Sequence, residues 1–393
     1  MIQITKKQNC TGCYACVNKC PQNCITMKSD TEGFWYPDVD VPRCIDCDLC
    51  EKVCPIITPL KREEYPVQVY AAYNTNEKIR LTSSSGGIFT LIAETIINRG
   101  GVVFGAGFNA NFEVIHIEVE TIDDLEKIRG SKYVQSKIGN TYKKVEAYLK
   151  MERSVLFTGT PCQIAGLKAY LNKEYEKLFC QDIICHGVPS PLIWKKYIAY
   201  RKKTITEPLR RISFRRKDEG WKRYSITFSS EKMTEYRKNA SQDSFMKGFL
   251  SNLYLRPSCH ACHFKTIKRQ SDLTLADFWG IENILPEMDD DKGTSLILIQ
   301  SAKGQTLFEE IKKYMIYQEV DLNSVKTYNT AAIESCKRPE KRDQFYECFQ
   351  DEDFERLVDR LTQSPFSVRI KRKMVCILEQ LGLKEGIKKV LKR

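Results

Sequence analysis

CTGCYACVNKCP at residues 10–21 and CIDCDLCEKVCP at residues 44–55 are two copies of one pattern, C-x2-C-x2-C-x3-C-P. Three cysteines two residues apart sit on one tight loop and can wrap a face of a four-iron, four-sulfur cubane. The fourth, followed by a proline that cannot continue a helix, is set to reach across to a second cluster. The spacing therefore predicts two [4Fe–4S] clusters. One would take Cys10, Cys13, Cys16 and Cys54, the other Cys44, Cys47, Cys50 and Cys20. Paired zinc knuckles also use C-x2-C, but a tetrahedral zinc has no use for eight thiols in two such blocks. Cys24 falls outside the pattern and is expected to be a bystander. Between the blocks, SDTEGFWYPDV (29–39) reads as a short hairpin turning at Gly33, with aromatic residues to shield a cluster.

Working outward, the chain has 393 residues, 17 cysteines and a formal charge of +12. That length suffices for two or three domains. Hydrophobic residues at 42% and charged residues at 28% are ordinary for a globular protein. No apolar run approaches the roughly 18–20 residues that span a bilayer. The opening MIQITKKQNC lacks the apolar stretch of a signal peptide. So many thiols without an export signal point to metal rather than disulfides, and to a cytoplasmic address. The charge is unevenly spread. Residues 195–223 hold twelve Lys/Arg against three acids, and residues 366–393 hold nine against two. Such blocks are solvated faces, or attract an anionic cofactor, a partner or an acidic membrane surface. No nucleic-acid recognition motif accompanies them.

The fold expected is α+β. A bacterial-type 2[4Fe–4S] ferredoxin domain at 1–60 is followed by the linker ITPLKREEYP (57–66), a mixed α/β domain at 66–335, and a basic helical C-terminal region at 340–393, charged and peripheral. Strands are predicted at VQVYAAYN, VVFGAGF, VIHIEVE, SVLFTGT, LFCQDIIC, RRISFRRK, RYSITFSS, DLTLADFW and SLILIQS. Helices are predicted from the SSSGG stretch to Gly100, in TIDDLEKIRG with Thr121 at its cap, and in IGNTYKKVEAYLKM, PCQIAGLKAYL, SPLIWKKYIAYRKK and SFMKGFLSNLYL.

Three stretches beyond the ladder carry possible chemistry. Thr82 to Gly87 (TSSSGG) opens a helix, and its small residues and hydroxyls suit a phosphate, although an ordinary helix cap reads the same way. Cys162 falls in the first turn of a helix after a strand, a place that lowers a thiol pKa. His186 could serve it as a base. Cys162, Cys185, Cys259 and Cys262 make four further thiols, each beside a turn. They suit a third [4Fe–4S] cluster, with zinc left open by His260 and His263.

Taken together, SSSGG, GSKYVQS (130–136), LFTGTPCQIAGL (156–167), ICHGVPSP (184–191), the C-x2-C at 259–262 and SDLTLADFWGI (271–281) resemble the coenzyme F420 hydrogenase/dehydrogenase beta-subunit family. The resemblance runs from residue 1 to about residue 335. It implies a flavoprotein that binds FAD and passes electrons between iron–sulfur centres and a hydride carrier. In the namesakes the carrier is F420, whereas plant relatives reduce chlorophyll-type tetrapyrroles. Carried over by motif, Ser84, Ser85, Gly86 and Gly87 would hold the FAD diphosphate. Lys132, Tyr133, Gln135 and Ser136 would line the flavin cleft beside Thr158, Gly159 and Thr160. Cys162, Cys185, Cys259 and Cys262 would hold the cluster next to the flavin, and His186 is the one proton donor nominated there. Asp277 and Trp279 lie in a matching motif without an assigned role.

The expected function is thus an iron–sulfur flavoprotein oxidoreductase, with two N-terminal clusters, a third, and FAD. Its partner would be a redox protein or a small-molecule hydride acceptor, with an oligomer possible. Two rivals stay open: an electron-transfer subunit without its own substrate, and a non-redox role in envelope polysaccharide assembly. The tail, with Val375, Leu378, Leu381 and Leu383 among basic residues, is expected to dock on a partner, lie on a membrane surface or pack as a simple helix.

Overall fold

The computed structural model describes residues 1–61, 64–205 and 207–363. The tail, including those four apolar positions, lies outside the described residues. Each cysteine block folds into a loop closed by a short helix, α1 (Ala15–Lys19) and α2 (Leu49–Lys52). Between them β1 (Ile25–Ser29) and β2 (Trp35–Val39) form the antiparallel hairpin, Ile25 opposite Val39. Gly33 has φ +85 in its turn, and a Cβ there would collide with the Leu192 Cβ, so only glycine lets the hairpin press against the body.

The body then runs β3 (Gln68–Asn74), α3 (Glu77–Thr82), α4 (Ile88–Asn98), β4 (Val102–Phe108), β5 (Val114–Val119), α5 (Leu125–Ile128), α6 (Thr141–Lys150), β6 (Val155–Gly159) and α7 (Pro161–Leu171). It continues with β7 (Leu178–Ile183), α8 (Pro191–Lys202), β8 (Arg211–Arg216), β9 (Ser225–Ser229), β10 (Thr234–Asn239) and α9 (Ser244–Leu250). Last come β11 (Leu273–Asp277), α10 (Ile281–Ile284), β12 (Ser295–Ile299), α11 (Ala302–Ile311), β13 (Met315–Glu319), α12 (Leu322–Tyr328), α13 (Arg342–Cys348) and α14 (Phe354–Thr362).

Eight strands form one mixed sheet in the order β13-β3-β12-β11-β7-β6-β4-β5. β4, β6, β7 and β11 are parallel neighbours, and the remaining pairings are antiparallel. Central β12 (SLILI) is buried at every position, as a strand covered on both faces must be. One face is covered by Ile88, Leu91, Ile92 and Ile96 of α4 with Leu307, Phe308 and Ile311 of α11. The other is covered by Tyr142, Val145, Ile164 and Leu167 of α6 and α7, in one core with Tyr14, Ala15 and Val53 of the N-terminal module. The module is therefore packed into the body.

A second, three-stranded sheet, β10-β9-β8, packs with α8 and α9 around Trp194, Tyr197, Phe214, Phe228 and Phe245. The segment after residue 340, expected to be peripheral, is helical but not peripheral up to residue 362. Phe354, Leu357, Val358 and Leu361 of α14 are buried in that aromatic core at helical spacing, with Phe345 and Phe349 beside them. The short helix expected after Thr121 begins at Leu125, where the Thr121 hydroxyl accepts from the Asp124 N–H at 3.2 Å.

Candidate functional site: three sets of thiols and a sheet edge

Both cysteine loops carry the same rare backbone signature. Gly12 (φ +66) and Tyr14 (φ 68) in the first match Asp46 (φ 47) and Asp48 (φ 55) in the second. Left-handed residues at matching positions curl each loop and turn main-chain N–H groups toward the sulfurs. Ala15 and Val17 donate to Cys13 and Cys16, and the Ile2 N–H donates to the Cys50 Sγ at 3.3 Å. Such donors favour a thiolate and tune any cluster it holds.

Cys10, Cys13, Cys16 and Cys54 lie close enough to feel one another's charge. Burial pushes the Cys13 thiol up to about 12, and the charges of Cys10 and Cys54 add to that. Cys16 moves in the same direction for the same reasons. Cys20, Cys44, Cys47 and Cys50 line a second space of about 350 Å3, partly open to solvent. The two fours are the two sets read from the spacing. Cys24 lines the second space as well. It is buried, with its sulfur 3.3 Å from that of Cys20, so it is a neighbour of this set. Cys47 is exposed, beside exposed Asp46 and Asp48.

The third set comes from three distant stretches. Cys162 stands in the first turn of α7, Cys185 follows β7, and Cys259 lies in a 3-10 turn at Pro257–Ala261 that Cys262 caps. All four line one space of about 480 Å3. Arg256, Lys265 and Arg269 line it too, and among the described residues no carboxylate does. Burial pushes the Cys185 thiol up to about 11 and raises Cys259 well above its ordinary value. Cys162 departs from the sequence expectation. Its helix-start position predicts a lowered thiol pKa, but burial dominates and raises it, against a contact of 3.1 Å with the Thr160 hydroxyl. Among the described residues no group of three or more His, Cys, Asp or Glu is placed to hold a single metal ion. A tetrahedral zinc needs all its thiolates within about 2.3 Å. A cubane, with iron at four corners, takes four thiolates that stand farther apart, and a donor set of four thiols is of the type it uses.

The first and third sets adjoin. Thr11 lines the third space, and a Cβ on Gly166 of α7 would meet the Cys13 sulfur at 3.0 Å. Cys336, which no sequence motif marks, hydrogen-bonds the Cys259 carbonyl at 3.4 Å and raises the Cys259 thiol by its charge. His186 also lines the third space. Its Nε2 is 2.6 Å from Asn252 Oδ1, and burial lowers its pKa.

The residues nominated for FAD fall near the carboxyl ends of β3 and β6 and in the loop after α5, and many of their polar groups are engaged with neighbouring residues. Gly86 donates to the Ser295 hydroxyl at 2.9 Å, and a Cβ on it would lie 2.5 Å from the Ala72 carbonyl, so this glycine serves close packing. Ser85 donates to the Thr294 carbonyl at 3.0 Å, whereas Ser84 accepts from the Ser131 N–H at 2.8 Å. Gly87 (φ 84) starts α4. Ser136, Thr158, Gly159 and Thr160 surround a buried network: Ser136 to His116 Nδ1 at 2.7 Å, His116 Nε2 to the Thr158 carbonyl at 3.0 Å, and Gln163 to Ser136 at 3.0 Å. Gln163 also closes a capping box with Thr160, and a Cβ on Gly159 would crowd its Oε1. His116 is held neutral, at about 4, by burial. Gln135 points to the cysteine loop instead, contacting the Thr11 carbonyl and Arg256.

What remains at the edge is cationic. Lys132 donates to the Arg129 carbonyl, and burial pushes its ammonium down to about 7. Lys217 donates to the carbonyls of Arg80, Ser85 and Lys292, and burial, aided by Arg215, brings it to about 7 as well. Arg215 is buried beside Tyr133, with Asp277 as its ion partner. Its Nε and Nη2 have no hydrogen-bond partner among the described residues. Trp279 stacks on Trp221 at 4.9 Å, and Trp221 donates to Asp277 at 3.0 Å, giving that motif a place. Orphaned donors on a buried guanidinium and an ammonium held only by carbonyls fit an anionic ligand such as a diphosphate. Of these cations, Arg215 and Lys217 lie within the basic block at 195–223, where nothing in the sequence distinguishes them from their neighbours.

Among the described residues no helix is long and apolar enough to cross a membrane. Residues 9–56 match the 4Fe–4S dicluster domain, and residues 152–325 match the family described as the C terminus of the coenzyme F420 hydrogenase/dehydrogenase beta subunit. Three curated relatives align over short stretches. A protein from the rpl9–rpl11 intergenic region of Porphyra purpurea is 38% identical over 66 residues, 16% of this chain and 84% of that protein. The NADH-quinone oxidoreductase I 2 subunit of Geobacter metallireducens is 38% identical over 55 residues, 13% of this chain, and the match spans only 42% of that protein. The 7Fe ferredoxin of Hydrogenibacillus schlegelii is 37% identical over 59 residues, 15% of this chain and 68% of the ferredoxin. A chain in the F420-reducing [NiFe] hydrogenase complex from Methanosarcina barkeri superposes with a TM-score of 0.45 at 15% identity, over 80% of this chain and 96% of that one. The protein is of the iron–sulfur, electron-transfer type of oxidoreductase. Through residues 152–325 it is related to the coenzyme F420 hydrogenase/dehydrogenase beta-subunit family, and through residues 9–56 it carries a 4Fe–4S dicluster domain.

Proposed function

We propose that the chain is an iron–sulfur flavoprotein oxidoreductase exchanging electrons between [4Fe–4S] clusters and an organic hydride carrier, with F420 as the family's example. Cys10, Cys13, Cys16 and Cys54 would hold one cluster, and Cys20, Cys44, Cys47 and Cys50 a second. Cys162, Cys185, Cys259 and Cys262 would hold a third. The observation that carries the reading is the gathering of these last four cysteines, from three distant stretches, around one space against which the first set is packed. Lys265 and Arg269, which act on the Cys185 thiol by their charge, balance the negative charge of a thiolate-ligated cluster there. FAD, when bound, supplies the exchange between single electrons and a hydride. Lys132, Lys217 and Arg215 would face its diphosphate, and His186 would hold a proton near the third site.

Anaerobic purification with iron, sulfide and flavin assays tests the reading. About twelve irons and one FAD per chain are expected, four irons for each set of four thiolates. Eight irons with one zinc would remove the third cluster, and a chain without flavin would sink the hydride chemistry.

A second expectation concerns pH. Both lysines are charged below about pH 7, and the ligand-free protein loses those charges as pH rises. An anion must then draw the protons back on binding. Affinity for FAD is expected to fall between about pH 6 and about pH 8, by up to roughly tenfold per unit for each lysine engaged. Flavin-fluorescence titration measures it, and Lys132→Met should both weaken binding and flatten the profile.

One observation favours a narrower reading, an electron-transfer subunit of a larger complex. Val41 and Ile45 beside the second set are each 59% exposed, an apolar face next to an exposed thiol of a redox site. On that reading the isolated chain would show no turnover until the missing subunit was added.

A further inference from the structure

We propose that Arg256 is the built-in counter-ion of the first N-terminal cluster and raises that cluster's reduction potential relative to the second. The inference rests on the cluster assignment proposed above for Cys10, Cys13, Cys16 and Cys54.

Arg256 is among the largest fully buried side chains of the molecule. Its Nε donates to the Cys10 carbonyl at 2.9 Å, Nη1 to Gln135 Oε1 at 3.0 Å and Nη2 to the Trp35 carbonyl at 2.9 Å. Nη2 also lies 3.7 Å from the Cys10 sulfur. The guanidinium stacks over Tyr36 at 4.4 Å. Among the described residues none of its hydrogen-bond or ion-pair partners is a carboxylate, unlike Arg80, Arg215 and Arg342, which are each paired with one. A guanidinium is always charged, and a buried cation is strongly unfavourable unless an opposite charge lies near it. Among the described residues, the candidate for that charge within reach is a cluster ligated by the Cys10 thiolate.

The chain is shaped to keep this approach. Gly12, inside the first C-x2-C, has φ +66, and a Cβ there would meet Gln135 Nε2 at 2.7 Å and Arg256 Nη1 at 3.0 Å. The Arg256 carbonyl accepts from the Cys259 N–H at 2.9 Å, so the same residue ties the first set to the turn that carries two thiols of the third.

Taking up one electron makes a cluster more negative, and a fixed cation at its sulfur stabilises that form. Net charge and hydrogen bonds to sulfur are main determinants of such potentials. The second set faces Asp48 and Glu51 as well as the Met1 ammonium, and Asp46 lies beside Cys44. Three carboxylates stand there against one ammonium, whereas the first set has a buried guanidinium with no carboxylate partner among the described residues. The difference favours an electron on the inner cluster.

The test is an EPR-monitored redox titration of the full chain, reconstituted anaerobically, as wild type, Arg256→Gln, Arg256→Lys and Gln135→Glu. Arg256→Gln is expected to lower the equilibrium constant for reducing the first cluster at least tenfold, about 59 mV for a one-electron couple, with the second cluster unmoved. Gln135→Glu keeps the arginine but sets a carboxylate against Nη1, and should shift the first cluster the same way. Arg256→Lys, which keeps the charge, should stay nearer to wild type. Should Arg256→Gln fail to load iron, Gln135→Glu decides the matter alone. An unchanged first-cluster potential in either neutralising variant at full iron content overturns the inference while leaving the cluster assignment intact. A wild-type chain that takes up no iron at the first set overturns both.

Discussion

A chain carrying Cys259→Ala and Cys262→Ala is expected to bind about eight irons where the parent binds about twelve, and to keep the EPR signals of its N-terminal pair. Both residues come from one 3-10 turn and supply half of the third set. Two remaining thiols, on α7 and after β7, cannot hold a four-iron cluster. Electron exchange between an N-terminal donor and any hydride acceptor should fall by well over the roughly 10–100-fold that follows loss of a mere supporting contact at a metal site. Iron analysis and stopped-flow bleaching of the clusters measure the two effects separately. Retention of all the iron, or an equal loss from the N-terminal pair, would show that these cysteines are not ligands of a separate centre.

The second large effect concerns stability. Arg342 of α13 is buried, and its Nη1 and Nη2 meet Glu32 Oε1 and Oε2 at 2.7 and 2.5 Å in a bidentate pair, while Nη2 also donates to the Leu255 carbonyl. Glu32 sits in the turn of the N-terminal hairpin, so this pair clamps a late helix onto the first module. Arg342→Ala leaves that carboxylate without its partner in a mostly dry site and is expected to cost about 3–5 kcal/mol. Chemical denaturation of Arg342→Ala, Glu32→Ala and the double variant measures it. The coupling in that cycle should exceed about 1 kcal/mol. A loss near that of an exposed ion pair, under about 1 kcal/mol, would mean that the clamp contributes little.

Much of this was legible in the sequence. The repeated spacing fixed the two N-terminal fours because short loops leave few ways to arrange their thiols. Gly33 marked its hairpin, and the apolar runs at β6, β7, β11 and β12 read as strands because both faces of the sheet are covered. Other elements gave little signal. β13 buries only Met315 at the sheet's edge, and β10 carries a charged, polar sequence without apolar alternation. α11 opens with Ser301 as its cap but has Gly304 in its first turn, where a Cβ would collide with the Asp272 carbonyl, so packing overrode helix propensity.

At the site, residue type pointed to the third set of thiols, yet their meeting depends on three stretches far apart in the chain. Arg256 and Cys10 are separated by 246 positions, a pairing that no local pattern contains. The Cys162 thiol runs against its sequence signal because its helix position is local and readable whereas its burial is not. The hydroxyls of SSSGG and of the 136–160 stretch match a phosphate site by type, but in three dimensions most are already engaged with neighbouring groups.

The tight seat of Cys13 against Gly166 also bears on how the protein is made. The first cysteine loop leaves the ribosome long before α7 and the 3-10 turn that bury it, and N-terminal units fold first during synthesis. Its thiols are open to iron delivery while the chain is still growing and enclosed once it is finished.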